Sequence, residues 1–199
     1  VLIGSYDGYL YGLSKHDGTL VWKTRFEGYV HATPAVLNGI AYLGGCDETF
    51  RGIKIDDGSE ALAITTGAYT GASPAISSEV AFFGTFNNDV IRINLNTGEQ
   101  VWSYEHPQRH FPFNSSAANG YLGSPTQSKD GQFFVGTTKG KLYAISSKCT
   151  PAWQSPVQVE PLESIPDVIK ELSGPGPYPI SEAPIFREET DTLYVLDER

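Results

Sequence analysis

Val1-Leu2-Ile3-Gly4-Ser5-Tyr6-Asp7-Gly8-Tyr9-Leu10-Tyr11-Gly12-Leu13, with the following Asp17-Gly18-Thr19-Leu20-Val21-Trp22, holds the pattern that decides the fold. Two short apolar runs flank Asp7-Gly8, and a third follows the second Asp-Gly pair. Asp-Gly or Asn-Gly between apolar runs is a strong hairpin signal, because a type I′ turn puts both central residues at positive φ. The same landmarks return down the chain. Gly4, Gly44 and Gly84 each close an apolar run and stand 40 residues apart. Trp22, Leu62 and Trp102 keep the same step of 40, as do Thr33-Pro34-Ala35-Val36 and Ser73-Pro74-Ala75-Ile76. Three independent features in one register define an internal repeat.

Each unit divides into short strands. In the first, residues 1–5, 9–13 and 20–26 are strands separated by Asp7-Gly8 and by His16-Asp17-Gly18-Thr19. In the second, 32–37 and 40–44 flank Asn38-Gly39. Four short antiparallel strands per 40 residues describe a propeller blade. The runs are apolar on both sides rather than alternating, which predicts sheets stacked face to face. One blade alone cannot bury both faces, so its neighbours must supply the core. No unit has a helical apolar period, which excludes helical solenoids.

A fourth unit is shifted. Phe133-Phe134-Val135-Gly136 and Lys141-Leu142-Tyr143-Ala144-Ile145 repeat the hairpin, and Trp153 follows Gly136 by 17 residues, but Gly136 lies 52 residues beyond Gly84. Its first strand is either Ser115-Ser116-Ala117-Ala118 or Gly123-Ser124-Pro125-Thr126. A fifth unit begins at Ser181-Glu182-Ala183-Pro184-Ile185 and runs to Leu193-Tyr194-Val195. The expected fold is therefore all-β, a β-propeller of four-stranded antiparallel blades, with four to five blades in this chain. Residues 1–153 form the blades, 154–179 a Pro-rich insertion, and 180–199 the start of a further blade. Within the insertion Ser164 and Asp167 could cap a short helix, with Pro166 in its first turn and Ser173-Gly174 ending it. Both ends of the chain read as strand, so a fragment of a longer protein is expected.

Composition agrees. The 199 residues include 21 Gly and 13 Pro, with 12% aromatic and only 19% charged residues. Such usage suits many short strands and turns. The net charge of −9 repels phosphate, which disfavours nucleic acid and anionic membranes as partners. No run approaches the roughly 20 apolar residues of a membrane-spanning helix.

The stretch from Gly4 to Trp22, and Ile93-Asn94-Leu95-Asn96-Thr97-Gly98-Glu99-Gln100-Val101-Trp102, resemble the pyrroloquinoline-quinone-like propeller repeat family. The resemblance covers residues 1–153. It extends to bacterial envelope proteins with quinone-binding-like propellers and, more distantly, to the propeller lipoproteins of outer-membrane assembly. It implies a ring of about seven or eight blades, here partial and completed by further sequence or by self-association, in a periplasmic or other extracytoplasmic place. With no nucleophile–base pair, metal cluster or phosphate loop in the sequence, a protein or peptide partner bound through one ring face is expected. Quinone-dependent dehydrogenases of this type carry adjacent cysteines, a calcium site of Glu, Asn and Asp, a catalytic Asp and often a haem motif. Here Cys46 and Cys149 are 103 residues apart, and no Cys-x-x-Cys-His occurs. No Asp or Glu matches the calcium or catalytic positions. A non-catalytic scaffold with no cofactor is the leading expectation. A quinone-dependent oxidoreductase or sensor, using pyrroloquinoline quinone with calcium, is the alternative.

Candidate residues follow from this frame. Trp22, Trp102 and Trp153 recur at one place per unit and are expected to pack between blades. Segments 25–31, 66–71 and 105–114 join one blade to the next and should cross a ring face. They carry Tyr29, His31, Tyr69, Arg109, His110, Phe111 and Phe113, an aromatic set with a few polar groups suited to ligand or peptide binding. His106 and His110 have the spacing of a helical metal pair, yet Pro107 and Pro112 make the segment a loop. Phe86-Asn87-Asn88-Asp89 offers oxygen donors but stands where Asp7-Gly8 turns the first unit. The Asp-Gly pairs are turns, and no catalytic or metal-binding residue is assigned. Cys46 and Cys149, in different units, are expected as thiols rather than a disulfide.

Overall fold

A computed structural model describes residues 1–77, 79–85, 90–103, 125–128, 130–136, 141–148, 151–155, 157–158, 185–187 and 192–194. Strands β1 (Leu2–Gly4), β2 (Tyr9–Leu13) and β3 (Leu20–Arg25) form the first sheet. The second contains β4 (Ala35–Leu37), β5 (Ile40–Gly44), β6 (Thr49–Lys54) and β7 (Glu60–Thr65) in that order. The third follows the same plan with β8 (Ala75–Ser77), β9 (Val80–Gly84), β10 (Val90–Asn94) and β11 (Gln100–Ser103), and the fourth with β12 (Thr126–Gln127), β13 (Phe133–Gly136), β14 (Lys141–Ile145) and β15 (Val157–Gln158). A fifth sheet pairs β16 (Ile185–Arg187) with β17 (Thr192–Tyr194). Every pairing is antiparallel between neighbours in sequence, as a propeller meander requires.

The first strand of the fourth sheet is the second of its two sequence candidates. Thr126 lies opposite Phe134, and the Gly131 and Ser128 amides close the turn onto the Ser128 and Gln132 carbonyls. A strand at 115–118 would need a far longer connection than blade hairpins use. The strand expected at 32–37 is shorter, starting at Ala35, because Pro34 has no amide to donate to a ladder. β15 carries the fourth sheet past Trp153, to residues 157–158. The proposed helix between Ser164 and Gly174 lies outside the described residues.

The core lies between sheets rather than within one. Leu10, Trp22, Phe26 and Val30 of the first unit meet Leu43 and Ile53 of the second. From the second sheet's opposite face, Tyr42 and Phe50 meet Ala81, Phe83, Ile91 and Ile93 of the third. Val80, Phe82 and Val90 then meet Phe133, Val135, Tyr143 and Ile145 of the fourth. Phe50 stacks on Phe83 at 5.1 Å, and Phe82 on Phe133 at 4.2 Å. Each fully buried Phe contributes about 1.5–3 kcal/mol by leaving water. The middle strands β5, β9 and β13 are buried on both sides, β9 throughout, whereas β2 of the first sheet alternates. The outer strands β3 and β7 are mostly exposed or alternate, so burial on both faces holds only for the inner part of the second to fourth sheets.

Two close approaches explain the period. A Cβ on Gly4 would lie 2.6 Å from the Val30 carbonyl oxygen, and one on Gly44 would lie 2.1 Å from Thr70 Cγ2. Each glycine admits the crossover that leaves its own blade. The Val30 and Thr70 amides donate to the Ser5 and Gly45 carbonyls, again one period apart. Trp22 lies between two glycines, since a Cβ on Gly12 of its own blade or on Gly58 of the next would come within 2.3 and 2.7 Å of the indole. Its Nε1–H donates to the Ile55 carbonyl at 2.8 Å, and the Thr24 hydroxyl donates to that of Gly58 at 2.5 Å. In the next unit Leu62 and Ile64 take this role, 3.7 Å from a Cβ on Gly98. Near the inner strands the Thr33 amide donates to Ser73 Oγ at 2.8 Å, tying the Thr-Pro and Ser-Pro motifs of adjacent blades.

The hairpin turns differ from one another. Asn38 and Gly39 both have positive φ, 50° and 77°, as a type I′ turn demands. At Asp7-Gly8 only Gly8 does, and the Asp7 carboxylate accepts from the Tyr9 amide instead. An Asp side chain that caps the following amide holds this turn without a left-handed Asp.

Gly44→Ala should lower unfolding free energy by about 1–3 kcal/mol, since Thr70 is buried and cannot yield. Gly39→Ala, whose Cβ meets open space, should cost only the left-handed penalty of about 1 kcal/mol. Urea unfolding midpoints of the two variants check this; a midpoint unchanged in Gly44→Ala would contradict the close approach.

Candidate ring-face binding site

The crossover at 26–31 is held on two sides. The Phe26 amide donates to the Gly8 carbonyl and that of Val30 to Ser5, both in the first hairpin, while the Cys46 amide of the second blade donates to the Tyr29 carbonyl at 3.2 Å. Gly28 is required here, because its Cβ would lie 2.7 Å from the Cys46 carbonyl carbon. Asp47 completes the anchorage. Its Oδ2 accepts from the Glu27 amide at 3.2 Å and pairs with Arg51 Nη1 at 2.7 Å. Arg51 in turn covers the Phe26 ring at 4.6 Å and reaches Glu60 at 3.2 Å.

This framework displays an aromatic cluster. Tyr6, from the β1–β2 hairpin, lies 5.4 Å from Tyr29 and 4.4 Å from His31, ring centre to ring centre. Tyr29 and His31 are 5.9 Å apart, edge to face. Tyr6 and Tyr29 are 65% and 55% exposed, so the rings form surface rather than core. Beside them a cleft of about 400 Å³ is lined by Tyr6, Asp7, Phe26, Glu27, Tyr29 and Cys46, among others. One blade on, the crossover at 66–71 repeats the anchorage: the Thr66 and Thr70 amides donate to Glu48 and Gly45. It presents Tyr69, 51% exposed, at the position of Tyr29.

The electrostatics follow from these contacts. Asp7 is held below the usual carboxylate range, chiefly by the Tyr11 hydroxyl and then by Ser5. The same bond raises Tyr11. Burial pushes the Cys46 thiol up, with the Asp47 charge adding to it. Burial lowers His31, which leaves it neutral at pH 7.

Of the residues expected from sequence, Tyr29 and His31 come together and Tyr69 stands on the equivalent segment. Arg109, His110, Phe111 and the rest of 105–114 lie outside the described residues. Trp22 is between blades, 9% exposed. Trp153 lies 5.7 Å from Phe134 of its own blade. Trp102 is placed by its backbone, opposite Arg92 in the third sheet. Tyr6 and Glu27 were not singled out. The signal for both was available, because a blade's middle hairpin and its outgoing crossover emerge on one face of an antiparallel meander. Cys46 is a free thiol, and Cys149 lies outside the described residues. Among the described residues no three His, Cys, Asp or Glu side chains gather as a metal site. The sequence has no adjacent cysteines.

A family model described as outer membrane protein assembly factor BamB matches residues 1–110 and 87–198. The chain belongs to this BamB-like family of quinoprotein-type propellers. BamB from Moraxella catarrhalis superposes with a TM-score of 0.72 at 15% identity, over 98% of this chain and 55% of that one. The computationally designed protein Ika8 gives 0.65 at 13% identity, over 99% of this chain and 55% of its own. This chain thus spans about half the length of each. No curated protein sequence matches. The likeness to BamB accounts for the propeller fold and the repeat.

His31 should titrate below its ordinary value of 6.5, observed by proton NMR of the imidazole. Replacing Tyr6 by Ala should move it back toward that value. Because the folded form disfavours the charged ring, stability should fall as pH drops below 6.5 and level off beneath the folded pKa. An imidazole titrating at or above 6.5 would exclude the packing described.

Proposed function

We propose that this chain is a non-catalytic propeller scaffold whose ring face, bearing the 26–31 and 66–71 crossovers, captures an extended peptide segment of a protein partner. The observation that carries this reading is the repetition of Tyr29 by Tyr69 one blade on, both half-exposed on rigidly anchored segments. Rigid aromatics supply large contact area at low entropic cost, the usual basis of peptide and protein hot spots. Stacked sheets lie about 10 Å apart, so roughly three residues of extended peptide bridge neighbouring crossovers. Tyr6 and His31 enlarge the first contact, and the adjoining cleft can take one side chain. The family's description as an outer membrane protein assembly factor supports a bacterial envelope setting.

Selection from a random peptide library tests this. The wild-type protein should enrich a consensus that binds the double variant Tyr29→Ala, Tyr69→Ala about tenfold or more weakly, with its unfolding midpoint unchanged. Recovery of the same peptides at the same strength by both proteins would sink the assignment.

A further inference from the structure

The cleft beside Tyr6 and Tyr29 has a chemical preference of its own. We infer that it receives a basic side chain, specifically the guanidinium of an arginine in the bound peptide; the inference rests on the ring-face reading above and names what one of its subsites takes. Three observations carry it.

The first is the wall. Tyr6 and Tyr29 both line the cleft, with their planes inclined at 43°. Phe26, 2% exposed, also contributes to the lining. A cation entering it lies against two electron-rich rings, and a flat guanidinium can stack where an ammonium acts only as a point charge.

The second is an uncommitted carboxylate. Three charged residues line the cleft: Asp7, Arg25 and Glu27. Asp7 is engaged by the Tyr9 amide and the Tyr11 hydroxyl, so it contributes a fixed negative field. Arg25 has its guanidinium 6.0 Å from the Tyr9 ring, and Lys23 lies 4.6 Å from the same ring. Glu27 is different. Its backbone is fixed by Asp47, yet its carboxylate pairs with no cation among the described residues.

The third is the balance of charge. Asp7 and Glu27 against Arg25 leave the cleft negative, on a chain whose net charge is −9. An incoming cation is attracted both locally and at long range. His31, edge-on to both tyrosines and neutral at pH 7, adds no opposing charge.

The probes are two blocked tripeptides, acetyl-Ala-Arg-Ala-amide and the same peptide with citrulline, which keeps the shape of arginine without its charge. Binding is followed by backbone amide NMR shifts at Gly8, Gly28 and Cys46. The arginine peptide should produce saturable shifts there and bind about tenfold more tightly than the citrulline peptide. Glu27→Gln should weaken the arginine peptide severalfold and leave the citrulline peptide unchanged. Tyr69→Ala, outside the cleft, should leave arginine binding intact while weakening the library consensus. Equal binding of the two peptides, indifference to Glu27→Gln, or no saturable shift at these amides would each overturn the arginine subsite. The library selection judges the ring face separately: a consensus that depends on Tyr29 and Tyr69 but lacks arginine would retain that reading and reject this one.

Discussion

The structure depends on sheets that bury both faces against their neighbours. A four-stranded sheet with Leu43 and Ile53 on one side and Tyr42 and Phe50 on the other has no solvent face in its middle strands. It must be sandwiched or remain unstable. That requirement sets the other features. Small residues recur where backbones converge, and the crossovers leaving the first two blades pack against Gly4 and Gly44. Outer-strand side chains latch onto the turn of the next blade, through Trp22 and Thr24 in one case and through Leu62 and Ile64 in the next. The latch tolerates the change from indole to aliphatic chain because shape, more than its hydrogen bond, fills the space over the glycine. The indole version gains a bond to the Ile55 carbonyl as well.

The same stacking places the candidate binding face. A crossover squeezed between two hairpins cannot bury large side chains on its outward side, so Tyr29 and Tyr69 project from segments anchored through the Phe26 and Val30 amides in one case and the Thr66 and Thr70 amides in the other. Surface aromatics held on a fixed backbone lose little entropy when a partner covers them. The anchorage is partly ionic: Asp47 joins the Glu27 amide to Arg51, and Arg51 covers Phe26. Because this pair is largely sheltered from water, it is screened less than a surface ion pair. The result is a rigid rim whose chemistry is set by a few residues on loops, the usual division between scaffold and site.

Much of this was legible in the amino-acid order. Repeated glycines, repeated aromatics at the outer strand and repeated Thr-Pro or Ser-Pro pairs gave the blade, its length and its strand boundaries to within a few residues. They did so because each marks a contact that recurs in space. Where the period slips, between Gly84 and Gly136, two candidates for the inner strand were equally good as sequence, and hairpin pairing with Phe133 and Phe134 selected Thr126–Gln127. Turn type was only partly readable. Asn38-Gly39 and Asp7-Gly8 look alike as dipeptides, yet one uses two left-handed residues and the other a side-chain cap.

The site was half legible. Tyr29, His31 and Tyr69 stand out as aromatics in crossovers, a property of local order. Tyr6 and Glu27 do not, since one lies in a turn and the other among ordinary charged residues. By itself, the sequence determined a repeating four-stranded blade that must be stacked, because period and apolar pattern are one-dimensional. Only the tertiary structure decided which aromatics share a surface and that the cleft's Glu27 pairs with no cation among the described residues. Those facts depend on how a hairpin of one blade meets the crossover beside it, and on distances between residues that the chain order keeps apart.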